Sequence, residues 1–223
     1  ANLLDAVGYE VTREYYVNDA GRQMDILTVS TWLRYLELFG HEIQFPAKGY
    51  QGDYVRVMAE ALKEQAGDRY NPGPGLLNFQ KTQSVDEEQI LDQLISAAKK
   101  HLRSGYQVVH NEVLRQQLGA CKAELTSFGV DFDCWFSEQS LFTGGKIETV
   151  VNDLKQKGHL YVEDGATWFR STEFGDEKDR VVQRDNGAYT YFASDIAYHV
   201  DKFERGFNTC LLYTSDAADD RGC

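Results

Sequence analysis

The sequence predicts an α/β fold that contains a large, mainly helical segment. Apolar residues recur every three or four positions over much of residues 26–125, which is the period of amphipathic helices. Shorter runs rich in β-branched and aromatic residues lie before and after that segment and end at turn signals, as strands do. With 223 residues, of which 42% are hydrophobic, the chain can bury a core, and its length allows one large or two small domains.

The first elements alternate between helix and strand. Residues 2–8 have the character of a helix end closed by Gly8, and residues 11–17 have that of a strand. The strand leads into the turn signal Asn18-Asp19-Ala20-Gly21. A helix is expected to follow and to stop at Gly40. Its apolar positions are spaced three or four apart: Ile26, Val29, Leu33 and Leu36.

Four further helices are predicted from the same spacing. They cover about residues 53–65, 90–102, 109–125 and 147–154. The Gly and Pro residues of 71–75 break the first, and Gly158 ends the last. The segment from Ser84 to Glu87 has the spacing of a capping box before the second of them.

Three short strands complete the predicted elements. Residues 132–136 alternate like a strand, and residues 166–170 and 180–184 predict a pair separated by the charged loop FGDEKD. The turn signal Asp185-Asn186-Gly187 closes the pair. Tyr15 and Tyr16 are interpreted as strand packing rather than chemistry.

Composition argues against several classes of protein. No apolar run approaches the 18 or so residues of a membrane span and no leader opens the chain, so a cytoplasmic protein is expected. The four cysteines predict neither a disulfide framework nor a zinc site, and the five histidines show no metal-binding spacing and are interpreted as surface or capping residues. The net charge of -12 disfavours a non-specific nucleic-acid binder but allows a local basic docking path.

Few generic catalytic motifs remain. The sequence lacks GxGxxG, GxxxxGK[ST], HExxH and GxSxG. Tyr191 and Asp195 are four residues apart, so they would share one face of a helix and present a phenol and a carboxylate to a cationic ligand. From spacing alone the structural alternative is favoured, in which Asp195 pairs with a surface cation and Glu138 caps the next element.

Three blocks of sequence together resemble the arginyl-tRNA synthetases, a family of class I aminoacyl-tRNA synthetases. The blocks are YEVTREYYVNDAGRQM at 9–24, VDFDCWFSEQSLF at 130–142 and ATWFRSTEFGDEKDRVVQRDNGAYTYFASDIAYHVDK at 166–202. They occur in the order that the family shows, and weaker similarity fills the space between them. The resemblance therefore covers about residues 1–209.

The resemblance implies a class I synthetase Rossmann-type catalytic domain that is truncated at both ends. A large helical insertion is expected at about residues 48–127 and a small β-rich connective insertion at about residues 146–190. The HIGH-type signature that holds ATP is missing before Ala1, as are a WGADHHGY-like block, a KMSKS-like loop and the anticodon-binding helices after the chain. Residues 210–223 resemble a translated sequencing adapter and are expected to be a non-native tail.

The same resemblance implies which residues contact the arginine side chain. In the family an acid of the DxWxSE strand and the Tyr and Asp of TYxxxDIAYH make these contacts, and the matching positions are Glu138, Tyr191 and Asp195. A guanidinium has five N–H donors in one plane, which carboxylates accept better than neutral groups do. No catalytic residue is assigned.

A second motif, NDAGRQ, supplies a possible active-site loop. Its candidate residues are Asn18, Asp19, Gly21 and Gln23. Ligands of open α/β sheets gather at the carboxyl ends of strands, where this loop is expected to lie. The equally weighted alternative is a simple turn and helix start, in which Asp19 caps and Gly21 permits a tight bend. Lys178 and Arg180 are either tRNA contacts or a solvated hairpin end, and the solvated end is favoured.

The function that the resemblance implies is that of an arginine–tRNA ligase. The intact enzyme would condense L-arginine with ATP and Mg²⁺ to arginyl-adenylate and transfer the arginyl group to tRNA(Arg), with bound tRNA needed for activation. The fragment alone is expected to be inactive, and the enzyme to be a monomer with no tightly bound cofactor, metal site or membrane partner. Two alternatives stay open: another class I aminoacyl-tRNA synthetase, and a non-enzymatic helical interaction domain.

Overall fold

The computed structural model describes residues 1–73 and 86–212, and the chain divides into two compact units. The first unit is Ala1–Phe136 and the second is Ser137–Cys223. The described residues combine helices with two small sheets, which agrees with the predicted α/β class.

The described part of the first unit is mainly helical. Its elements in chain order are α1 Asn2–Ala6, β1 Glu14–Val17, α2 Arg22–Glu37, α3 Asp53–Ala66, α4 Glu87–Leu102, α5 Ser104–Ser127 and β2 Cys134–Ser137, whose last residue belongs to the second unit. β1 and β2 are neighbours in a two-stranded sheet. Tyr15 of β1 stacks on Trp135 of β2 with ring centroids 4.5 Å apart, so the predicted packing role of Tyr15 is confirmed.

The core of this unit forms around α2. Trp32, Leu33, Tyr35 and Leu36 are fully buried, and α2 contacts α3, α4 and α5. A helix that is buried on all sides needs partners for its polar groups. The Trp32 indole N–H donates to a backbone carbonyl, that of Tyr70, at 3.0 Å. The Tyr35 hydroxyl donates to the Gly67 carbonyl at 2.6 Å and accepts from the Tyr70 N–H at 3.2 Å, which fixes the chain after α3.

Two helix boundaries differ from the prediction. Asp86 caps α4, because its carboxylate accepts from the Glu88 N–H at 3.1 Å. The predicted capping box begins at Ser84, which lies outside the described residues. Asp is as effective a cap as Ser, so spacing could not choose between them. α5 begins at Ser104 and not near residue 109. Arg103 is the single residue between α4 and α5, and its positive φ of 50° reverses the chain there.

The second unit combines helices with a three-stranded antiparallel sheet. Its elements are α6 Gln139–Thr143, α7 Lys146–Gln156, β3 Leu160–Glu163, β4 Ala166–Phe169, β5 Arg180–Gln183 and α8 Tyr191–Glu204, with a short 3₁₀ turn at Ser171–Phe174. The strand order is β3-β4-β5. α6 and β3 were not predicted.

The charged loop between β4 and β5 is tied together by its own side chains. Arg180 donates to the Asp176 carboxylate at 2.7 Å, and this hydrogen bond lowers the pKa of Asp176 to about 2. Asp179 accepts from the backbone N–H and the hydroxyl of Thr172. Lys178 is exposed. Arg180 is thus part of a structured hairpin end rather than a fully solvated one.

Candidate functional site

The helix that carries Tyr191 and Asp195 is fixed to the sheet at its first turn. The backbone N–H of Thr190 donates to the carbonyl of Val182 at 3.0 Å, and the Thr190 hydroxyl donates to the carbonyl of Val181 at 2.6 Å. Both acceptors lie in β5. Because α8 begins with the next residue, β5 sets the position of its first turn.

Tyr191 and Asp195 lie one turn apart on the exposed side of α8. Tyr191 is 59% exposed and Asp195 is also exposed, whereas Ala193 and Ser194 between them are buried. Residues four apart on a helix are surface neighbours. The predicted helix is confirmed, and the binding of one ligand by the phenol and the carboxylate stays a prediction.

Glu138 immediately precedes α6 and is 4% exposed. It occupies the N-cap position of α6, as the capping alternative predicted, but its side chain makes no capping hydrogen bond. α6 packs against α8, so the elements that carry Glu138, Tyr191 and Asp195 are neighbours within the second unit. A buried carboxylate interacts strongly with a cation because little solvent screens it.

Two further ionisable residues of α8 were not singled out from the sequence. Lys202 is 7% exposed, and its ammonium lies 3.7 Å from the centroid of the Tyr198 ring. Burial lowers the pKa of His199, Lys202 lowers it further, and Asp195 acts in the opposite direction. The neutral imidazole is therefore favoured near pH 7. The spacing Asp195, His199, Lys202 is the sequence signal that could have revealed this cluster.

The NDAGRQ segment joins β1 to α2. Asn18 is exposed and Asp19 is 5% exposed. Gly21 occupies the N-cap position of α2, two residues after Asp19. Gly21 has an extended φ of -94° that any residue adopts. A Cβ there would lie 3.2 Å from the Asn18 side-chain oxygen, so close approach, rather than a special backbone angle, favours glycine.

Gln23 is exposed in the first turn of α2. Its side-chain oxygen accepts a hydrogen bond from the Tyr50 hydroxyl at 2.9 Å. Sequence reasoning missed Tyr50, since residues 27 positions apart carry no local signal of contact.

Other parts of the described chain show no competing site. Across residues 1–73 and 86–212, no group of three or more His, Cys, Asp or Glu side chains is arranged to hold a metal ion. Nor is any helix in those ranges long and apolar enough to cross a membrane. A groove of about 400 Å³ lies between α3 and α5 in the first unit, and it contains none of the predicted site residues.

The fold is that of a class I synthetase catalytic domain. Residues 1–221 match the family model for "tRNA synthetases class I (R), catalytic domain", and the chain belongs to that family. The match continues beyond residue 209, where the resemblance was expected to end. The non-native character of residues 210–223 stays a prediction.

The relatives within this family are arginine–tRNA ligases by name. The chain is 58% identical over 213 residues to that of Nitrosospira multiformis, covering 95% of this chain and 36% of that protein. It is 56% identical over 217 residues to the ligase of Nitrosomonas europaea, covering 95% of this chain and 37% of that protein. The crystal structure of a putative arginyl-tRNA synthetase from Campylobacter jejuni is similar with a TM-score of 0.64 and 30% identity, covering 93% of this chain and 39% of that one. The chain therefore spans less than two fifths of the length of these relatives.

Proposed function

We propose that this chain is part of an arginine–tRNA ligase and contributes the pocket for the arginine side chain. The observation that carries the proposal is the 58% identity to a ligase of that name over 95% of the chain. Since the chain spans 36% of that relative, the complete reaction belongs to the longer enzyme.

In the proposed pocket Glu138 and Asp195 accept hydrogen bonds from the guanidinium, and the Tyr191 phenol completes the contact. Glu138 supplies a carboxylate that is screened little by solvent, and Asp195 supplies one that is open to an incoming ligand. A planar group with several donors can engage both acids at once, whereas the ammonium of lysine is a compact point charge. This difference would give the pocket its preference for arginine.

The proposed reaction has two steps. The carboxylate of L-arginine attacks the α-phosphate of ATP and releases pyrophosphate, which gives arginyl-adenylate. A hydroxyl of the terminal adenosine ribose of tRNA(Arg) then attacks the arginyl carbonyl, which forms the ester and releases AMP. The residues of this chain bind and orient the amino acid, which accelerates a reaction by positioning. ATP and its Mg²⁺ are substrates of the complete enzyme, and the described residues do not assemble a metal-binding group. No step is therefore assigned to the ion here.

The finer architecture is part of the same proposal. Residues 1–209 would form part of a Rossmann-type catalytic domain, with the helical insertion at about 48–127 and the connective insertion at about 146–190. α3, α4 and α5 fall inside the first range and β3, β4 and β5 inside the second. Asn18, Asp19, Gly21 and Gln23 would form a loop of the active site. The enzyme would act as a cytoplasmic monomer.

A chimera tests the proposal. Residues 1–209 would replace the matching segment of the Nitrosospira multiformis ligase, and arginine-dependent exchange of pyrophosphate into ATP would be measured with tRNA(Arg) present. We expect exchange well above background in the chimera and none in the isolated 223-residue chain. A folded chimera without exchange would contradict the proposal, and exchange by the isolated chain would contradict the expectation that its ATP site is incomplete.

A further inference from the structure

The first turn of α2 contains the last two residues of the NDAGRQ segment, Arg22 and Gln23, and other elements of the first unit hold their side chains. Arg22 donates to the Asp92 carboxylate of α4 at 2.9 Å and lies 2.7 Å from that of Glu88, also in α4. Gln23 accepts from the Tyr50 hydroxyl at 2.9 Å. Consecutive residues of one turn are thus connected to two separate parts of the helical unit.

A third residue of the same region is held as well. Asp25 accepts from the Tyr106 hydroxyl of α5 at 2.6 Å and from the Lys99 ammonium of α4 at 2.8 Å. The remainder of α2 is buried between α3, α4 and α5. The turn is therefore connected to the helical core both through its own side chains and through the body of its helix.

The two groups that hold Arg22 and Gln23 are themselves anchored. The backbone N–H of Tyr50 donates to the hydroxyl of the buried Ser30 in α2 at 3.0 Å. Glu88 also accepts from the Lys48 ammonium at 2.6 Å. Lys48 and Tyr50 belong to the segment between α2 and α3, so this segment contacts the first turn of α2 from one side while α4 contacts it from the other.

Only residues 18–21 separate β1 from α2. In so short a segment the positions of its two ends leave the backbone few conformations. A displacement of the first turn of α2 would therefore move Asn18 and Asp19 with it.

We propose that Tyr50 and Glu88 are positioning residues, which hold Gln23 and Arg22 and thereby keep the NDAGRQ loop in the conformation that arginine activation requires. This inference rests on the proposed function. The helical part of the first unit would then contribute to catalysis without any contact to substrate. The pKa shifts agree with this geometry. The pKa of Arg22 is raised by its hydrogen bond to Asp92 and, less strongly, by its hydrogen bond to Glu88. The pKa of Glu88 is lowered by its hydrogen bonds from Lys48 and Arg22.

Exposure separates this role from a purely stabilising one. The side chains of Arg22, Glu88 and Asp92 are 41%, 44% and 63% exposed. Exposed ion pairs contribute little to the free energy of folding. Their removal should therefore lower the melting temperature slightly and the catalytic rate more, because a small misplacement of reacting groups is costly to the rate.

The test uses the active chimera described above and two matched pairs of variants. Tyr50→Phe removes the hydroxyl that binds Gln23, and its control is Tyr9→Phe, at a tyrosine that is 64% exposed. Glu88→Gln removes the negative charge that pairs with Arg22 and Lys48, and its control is Glu87→Gln, the same charge change one residue earlier on α4.

We expect Tyr50→Phe and Glu88→Gln each to lower kcat for arginine-dependent pyrophosphate exchange by about three- to tenfold. The KM for arginine should stay within about twofold, because the proposed arginine pocket lies in the other unit. Both control variants should retain the parental kcat. Arg22→Gln combined with Glu88→Gln should lose less activity than the two single losses added together, since both changes remove the Arg22–Glu88 pair, although Arg22→Gln also removes the bond to Asp92.

Three results would overturn the inference. An unchanged kcat in both test variants would show that the links do not position the loop. A fall in kcat matched by the controls, or one that disappears when the assay temperature is lowered well below the melting temperature, would show a general loss of stability. A folded chimera that is itself inactive would instead remove the proposed function on which the inference rests, and this result is seen before any variant is made.

Discussion

Asp195→Asn should weaken the use of arginine through one acceptor of the guanidinium. Asn keeps the shape of the side chain, removes its charge and replaces one acceptor with an N–H that opposes the ligand's own donors. Because Asp195 is exposed on the first turns of α8, a charge-assisted hydrogen bond of about 1.5–3 kcal/mol is the appropriate magnitude. This corresponds to a loss of about 10- to 200-fold in kcat/KM for arginine.

Burial predicts a larger effect at Glu138. Glu138 is 4% exposed, and breaking a buried ion pair costs about 3–5 kcal/mol, so Glu138→Gln should lower kcat/KM by about 10²- to 10³-fold or more. Tyr191→Phe removes one neutral hydrogen bond from a residue that is 59% exposed and should cost only about 0.5–1.5 kcal/mol.

Steady-state aminoacylation by the chimera, with arginine varied at saturating ATP and tRNA, measures all three variants. The KM for ATP should barely change, because none of the three residues is assigned to the nucleotide. Near-parental kinetics for Asp195→Asn would remove this residue from the pocket and return it to a structural role. An equal loss in all three variants would refute the reasoning from burial.

Three further outcomes concern the stability of the chain. Tyr35→Phe leaves the N–H of the buried Tyr70 without its hydroxyl partner, whereas the carbonyl of the exposed Gly67 can bind water instead. It should destabilise the protein by about 1–3 kcal/mol in urea denaturation, whereas Tyr9→Phe, at a site 64% exposed, should have no effect. The hydrogen bonds that Glu112 accepts, chiefly from Arg115, lower its pKa to about 2. Its contribution is therefore fully present above its ordinary pKa near 4.5 and is lost as the pH falls toward 2. Arg115 is 65% exposed, so Glu112→Gln should lower the free energy of unfolding by only about 1 kcal/mol at pH 7. It should also reduce the loss of stability between pH 4.5 and pH 2. An unchanged dependence of stability on pH would contradict the pairing of Glu112 with Arg115. Deleting residues 210–223 should leave the melting temperature within a degree or so, and a loss of several degrees would show that they pack on the body of the protein.

Helix-forming periodicity was the most reliable signal in this sequence. It predicted a helix at residues 53–65, and α3 is Asp53–Ala66. The pattern is informative because an amphipathic helix turns a stripe of apolar residues toward the core. It could not reveal that α2 is buried on all sides, which follows from contacts with three other helices. α6 and β3 escaped prediction because they are stabilised by packing and strand pairing rather than by a pattern of their own.

The candidate site divides in the same way. The pairing of Tyr191 with Asp195 followed from a spacing of four residues on a helix. The burial of Glu138 and Lys202, and the contact between Gln23 and Tyr50, depend on residues distant in the sequence. No local pattern contains that information, since the same residue types occur on solvated surfaces.

Calorimetric titration of the chimera with arginine, lysine and glutamine tests the proposed arginine pocket most directly. Two carboxylates that accept a planar guanidinium predict saturable binding of arginine and no measurable binding of lysine or glutamine at the same concentrations. Binding of lysine or glutamine as tight as that of arginine, or no binding of arginine by the folded chimera with ATP and tRNA(Arg) present, would contradict a pocket formed by Glu138, Tyr191 and Asp195.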